Sequence, residues 1–275
     1  MRQGYNADRW GPRRWGHRLA GVVLACTYLG GCASWDEITS RDFEYRNLFT
    51  RPDPLVVLRY SKDGDKRARA FAALSEPKRS GGSDKDQDFV VEILTAAVTT
   101  EPQFYPRLLA MQKLGEFKDP RAVPALVDGY YAASVFSTDN ATILRCQALT
   151  GLGKVGHPSG VELLVSVLRQ GPIEGPEEDR RRALDERIAA ARALGHFSHY
   201  QAKEALVRVL QTDKDVALRN CAHESLQSAT GQRLPQDYAV WNEFLHKDRS
   251  KEASLAAGKK KSFMEFILTG FSSQP

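Results

Sequence analysis

The sequence predicts an all-α chain built as a row of about five helical hairpins. Three observations predict it. A register R-x-x-A-x-x-x-L returns five times, as Arg67, Ala70, Leu74; Arg107, Ala110, Leu114; Arg145, Ala148, Leu152; Arg187, Ala190, Leu194; and Arg219, Ala222, Leu226. Its leucines step by 40, 38, 42 and 32 residues, and self-similarity at such a period is the mark of a helical repeat array. Offsets of three, four and seven fall on one helical face, and further apolar residues widen that face in the first four copies: Ala68 and Phe71, Leu108 and Met111, Cys146 and Leu149, Ile188 and Ala191. The fifth copy carries Asn220 and His223 there, the more polar face that a terminal repeat needs.

The three middle copies share a second pattern. Gly115, Gly153 and Gly195 directly follow the leucine, Phe117, Val155 and Phe197 come three after it, and a second leucine (Leu126, Leu164, Leu206) comes twelve after it. Glycine there marks a helix end or a close helix–helix contact. Asp119-Pro120 and His157-Pro158 start the next helix, so each unit reads as helix, tight turn, second helix.

In chain order, residues 1–18 are polar and basic and 19–31 are small and apolar, too short a run to cross a bilayer and laid out as a secretory signal. Leu29-Gly30-Gly31-Cys32 resembles the lipobox of bacterial lipoproteins. The resemblance implies cleavage between Gly31 and Cys32 and acylation of Cys32, a palmitate-type membrane anchor. An ordinary signal with a chance cysteine, or an uncleaved anchor, is the competing reading. Ala33 after the cysteine points to the outer rather than the inner membrane. Residues 32–53 are a tether. The repeat domain spans 54–247, with helices expected at 54–61, 63–76, 87–100, 103–117, 120–135, 139–155, 158–170, 179–197, 199–212, 215–229 and 235–247. Two long loops interrupt it: 76–87, polar and expected to be mobile, and 171–178, with Pro172 and Pro176. Residues 248–275 are a polar linker followed by an apolar segment from Phe263 to Phe271, which either docks on the last helices near Trp241 and Phe244 or lies on a membrane; docking is favoured.

The A-x-x-x-L-G and repeated-Arg features, with Asp119-Pro120-Arg121-Ala122-Val123-Pro124-Ala125-Leu126, resemble HEAT repeats, in particular the bacterial group that includes phycobilisome lyases. The resemblance covers about 63–245. It implies an α-solenoid whose second helices line a concave side. It also implies that Arg67, Arg107, Arg145, Arg187 and Arg219 form a structural ladder bonding acids or carbonyls of adjacent units. Thr230-Gly231, Pro235 and Trp241 resemble the closing segment of such arrays.

Little in the sequence points to chemistry. The chain carries a net charge of +5, but residues 1–31 hold five arginines and one aspartate, and the remainder is close to neutral. A nearly neutral body offers no broad basic footprint, which argues against nucleic acid. No H-E-x-x-H, C-x-x-C, G-x-S-x-G or P-loop occurs. His196 and His199 straddle a turn, and Cys146 and Cys221 lie two repeats apart, too far for a disulfide. No metal, cofactor, small-molecule substrate or catalytic residue is evident. The column five residues after each arginine (Ala72, Gln112, Thr150, Arg192, Glu224) is chemically mixed and is the candidate binding surface on the concave side. The sequence thus reads as a non-enzymatic, membrane-anchored protein-interaction scaffold of the bacterial cell envelope, its domain facing the periplasm or the exterior. A lyase-like enzyme or accessory protein is the alternative.

Overall fold

The computed structural model describes residues 52–250. The chain divides after Pro52 into two units, and the description concerns the second. The signal, Gly31 and Cys32, most of the tether and the segment from Lys251 onward, including Phe263–Phe271, lie outside the described residues.

The described residues are all-helical: α1 (Pro54–Tyr60), α2 (Gly64–Ala73), α3 (Asp84–Thr100), α4 (Phe104–Glu116), α5 (Ala122–Ala132), α6 (Thr138–Val155), α7 (Val161–Arg169), α8 (Glu177–Leu194), α9 (Tyr200–Thr212), α10 (Val216–Thr230) and α11 (238–250). Short 3-10 turns sit at Pro77–Ser80, Ala133–Val135 and Pro158–Gly160. Local chemistry sets the ends. Asp53, Asp63 and Asp215 cap α1, α2 and α10 through their side chains, at 2.8–2.9 Å from the backbone N–H groups of Leu55, Lys66 and Leu218. Such caps satisfy donors that a helix start leaves open. Gly156 and Gly231 close α6 and α10 at φ of 69°, where a side chain would be strained.

The expected helices stand within a few residues of these bounds, with one correction. The loop over 76–87 is a built turn. Pro77–Ser80 winds as a 3-10 helix, Gly81 reverses the chain at φ 82°, and Ser83 and Asp86 form a reciprocal capping box that starts α3 earlier than the hydrophobic pattern does.

The first helices pack in chain order, α2 on α4, α4 on α6, α6 on α8 and α8 on α10. Second helices pack on second helices (α3 on α5, α7 on α9) and, more extensively, on the first helix that follows (α3 on α4, α5 on α6, α7 on α8, α9 on α10). The closest helix pair therefore joins one unit to the next, not the two helices of one unit. All five register leucines and alanines are buried, as are Leu94, Leu126, Leu164 and Leu206. Each buried leucine contributes about 1.5–3 kcal/mol. Trp241 on α11 is fully buried against His223 and Phe244 and closes the last described end.

The repeated glycine has a packing cause. A Cβ on Gly115 would lie 2.7 Å from the Gly151 Cα, and one on Gly153 would lie 2.8 Å from the Ala193 Cα. Gly195 meets Ser225 in the same way, at 3.1 Å. Gly153 lies inside α6, so close approach of neighbouring first helices is what these positions demand.

The arginine row and its cleft

Each register arginine sits on a first helix, and Arg67, Arg107 and Arg187 each bond a group at the end of a second helix. Arg67 donates through Nε and Nη2 to the Glu101 carboxylate and through Nη1 to the Leu58 and Ser61 carbonyls. Arg107, buried, donates from Nε to the Glu101 carbonyl at 2.7 Å and from Nη1 to the Ala132 carbonyl at 3.5 Å, with its guanidinium over the Phe136 ring. Burial lowers its pKa from the usual arginine range. Arg187 pairs with Asp213, both side chains being at most 8% exposed. Glu101 and Asp213 are the C-caps of α3 and α9, and the negative end of a helix dipole favours a cation there.

The two pairs share a register that sequence reading passed over. Each acid lies seven residues after the second-helix leucine, Leu94 to Glu101 and Leu206 to Asp213. Where that position holds Ala133, Arg107 turns to carbonyl oxygens. Where it holds Gly171, Arg145 turns to Glu186 on the next first helix, at 3.3 Å. The Arg145 side chain is 31% exposed and that of Glu186 12%, so the arginine is the less shielded member of this pair. Arg219 has a shielded Nε with no acceptor among the described residues.

Glu186 is the hub of a buried polar network. Tyr130 on α5 donates its hydroxyl to Glu186 Oε2 at 2.8 Å, while Arg145 on α6 lies over the Tyr130 ring. Burial and the facing carboxylate raise the Tyr130 pKa above the phenol range, so the hydroxyl stays a donor. The neighbouring Cys146 thiol is pushed up to about 12, chiefly by burial and then by Glu186, and burial raises Cys221 as well. Neutral, half-buried or buried thiols are poor nucleophiles. Both are free. Tyr131, in contrast, is exposed.

Beside the row lies a cleft of about 390 Å³, walled by the 170–176 loop, α8 and the turn between α9 and α10. Pro172, Ile173, Ala183 and Leu184 give it apolar walls; Arg187 and Asp213 lie in it, and Arg180, Lys214 and Asp215 complete the lining.

The candidate surface column is exposed in every copy: Ala72, Gln112, Thr150, Arg192 and Glu224 stand on five successive first helices, so the column belongs to the first-helix side and not to the second helices that the resemblance assigns to the concave side. Thr150 returns its hydroxyl to the Cys146 carbonyl and Gln112 reaches Glu116, local bonds that leave both side chains at the surface. His223 bonds the Leu234 carbonyl and helps hold α11, while its neighbour Glu224 points to solvent. Among the described residues no three of His, Cys, Asp and Glu converge as a metal site, and no helix is long and apolar enough to cross a membrane. No family model matches the chain, and no curated protein matches it.

Proposed function

We propose that the chain is a HEAT-like α-solenoid that serves as a protein-interaction scaffold of the bacterial cell envelope, anchored through a lipid on Cys32. The observation that carries this reading is the exposed column from Ala72 to Glu224, which runs across five first helices packed in chain order. Helices stacked at about 8–10 Å spacing present such a column as an extended surface. Its side chains (an alanine, an amide, a hydroxyl, a guanidinium and a carboxylate) change along the row. A single charged ligand would ask for one sign of charge, whereas a folded protein partner offers a patterned surface that this variety can match. Repeat arrays bind partners in this way without catalytic groups. The tether and lipid would hold the surface near a bilayer, and stable anchoring takes more than one acyl chain, as the lipoprotein resemblance implies.

Affinity capture of the lipidated protein from envelope extracts tests the reading. The wild type is compared with the Arg192→Glu, Glu224→Arg double variant, whose changes lie on the exposed column, and with Cys32→Ser. The expected result is a discrete partner captured by the wild type and lost in the double variant, with acyl labelling lost only in Cys32→Ser. Identical captures by the wild type and the double variant would remove the column from the account. Acyl labelling retained by Cys32→Ser would remove the lipid.

A further inference from the structure

The arginine row is satisfied unevenly, and the difference points into the cleft. Arg67 makes four hydrogen bonds, two to Glu101 and one each to the Leu58 and Ser61 carbonyls of the chain entering α2. Arg187 is only 7% exposed, yet it makes one hydrogen bond, from Nη2 to Asp213, and its shielded Nε has no acceptor among the described residues. A buried guanidinium N–H without an acceptor is costly. Arg219 shares the orphaned Nε although α10, like α2, starts three residues before its arginine; what sets Arg187 apart is the cleft that it lines. α8 starts ten residues before its arginine, after the 170–176 loop. No carbonyl of that entering segment accepts from Arg187, and the loop walls an opening beside it.

We propose that this cleft binds a carboxylate carried on an apolar body, with the Arg187 guanidinium as its anchor. Its volume of about 390 Å³ falls in the range of small-ligand sites, roughly 300–1,000 Å³. Pro172, Ile173, Ala183 and Leu184 suit an apolar group, and Ile173 is 43% exposed while the cleft is open. Both acids of the cleft are committed: Asp215 caps α10, and Asp213 holds Arg187 and the Asp215 backbone N–H. Arg180 and Lys214 add positive charge. The same two acids disfavour a dianion such as phosphate more than a monoanionic carboxylate, which a guanidinium holds through charge-assisted hydrogen bonds. The C-terminus of a protein ending in an apolar residue and a free aliphatic acid share this chemistry. The inference does not depend on the lipid anchor or on the surface column.

The test is calorimetric titration of the full-length protein with three probes: an acetylated tripeptide ending in leucine, the same tripeptide as its C-terminal amide, and hexanoate. The free-acid peptide is expected to bind saturably with a Kd below about 1 mM, and its amide at least about tenfold more weakly. Ile173→Asp, which places a like charge on an exposed loop away from the core, is expected to abolish binding, and Arg180→Ala with Lys214→Ala to weaken it. Hexanoate competing as strongly as the peptide assigns the site to free acids; hexanoate much weaker assigns it to protein C-termini. Both results keep the carboxylate anchor. Equal binding of acid and amide, no saturable binding of either acid probe, or unchanged binding by Ile173→Asp would overturn the proposal.

Discussion

At the scale of single residues, the five arginines share a register and differ in what they hold. Arg187 and Asp213 are both shielded, so removing the arginine strands a buried carboxylate, a change that costs about 3–5 kcal/mol. Arg145 is one-third exposed, and Glu186 keeps the Tyr130 hydroxyl when Arg145 is lost; about 1–2 kcal/mol is expected there, closer to the cost of an exposed pair. Urea melts should therefore rank Arg187→Ala well below Arg145→Ala, and equal midpoints would mean that burial does not set the ladder's strength. Asp119 supplies a pH-dependent counterpart on the opposite edge. It accepts from the Arg121 side chain at 2.7 and 2.9 Å, from the Arg121 backbone N–H and from Gln87, and the Arg121 bonds hold its pKa down at about 2. A depressed carboxylate stabilises the fold fully above its unfolded value near 3.9, and that stability fades as the pH falls through the folded value. Asp119→Asn should cost about 1–2 kcal/mol at neutral pH, and the gap to wild type should close between pH 4 and about 2. A gap that stays constant across that range would mean that Asp119 acts through shape and not charge.

At the scale of elements, sequence spacing located nearly every helix, because apolar periodicity and capping chemistry are both local. It located α3 late because the Ser83 and Asp86 capping box lies upstream of the first apolar residue. It also read the glycines after the three middle register leucines as helix ends or close contacts, and the neighbouring helix decides between the two. Gly115 faces Gly151 backbone to backbone, and backbone cannot swing aside. Gly115→Ala should thus destabilise by about 1–3 kcal/mol through overpacking, against a helix-propensity gain of about 1 kcal/mol. Gly64→Ala is the matched control. Its added Cβ meets only the end of the Gln103 side chain, which can rotate away. A thermal melt in which both variants are equally stable would mean that α4 and α6 do not touch as closely as described. The partners of the ladder were not legible at this scale. Arg145 to Glu186 and Tyr130 to Glu186 span 41 and 56 residues, separations that no local pattern encodes. The acids at Glu101 and Asp213 were legible, seven residues past the second leucine, but only once second helices are known to end beside the arginines.

At the scale of the whole molecule, the account rests on first helices that pack one after another and carry an exposed, varied column along the row. The sequence named that column from its offset to the arginines, and every member is at the surface. The 171–178 loop was legible as an insert that departs from the repeat, but the side chains it brings beside Arg187, Asp213 and Lys214 were not, since they come from a different turn of the chain. The exposed column and the cleft are separate features. The most direct measurement places a photo-activatable crosslinking residue at Thr150, mid-column on α6, and in parallel at Ser166, exposed on the second helix α7, in the full-length protein in intact cells. The account predicts a discrete protein adduct from Thr150 and none of matching yield from Ser166. A discrete adduct from Ser166 with none from Thr150 would contradict it.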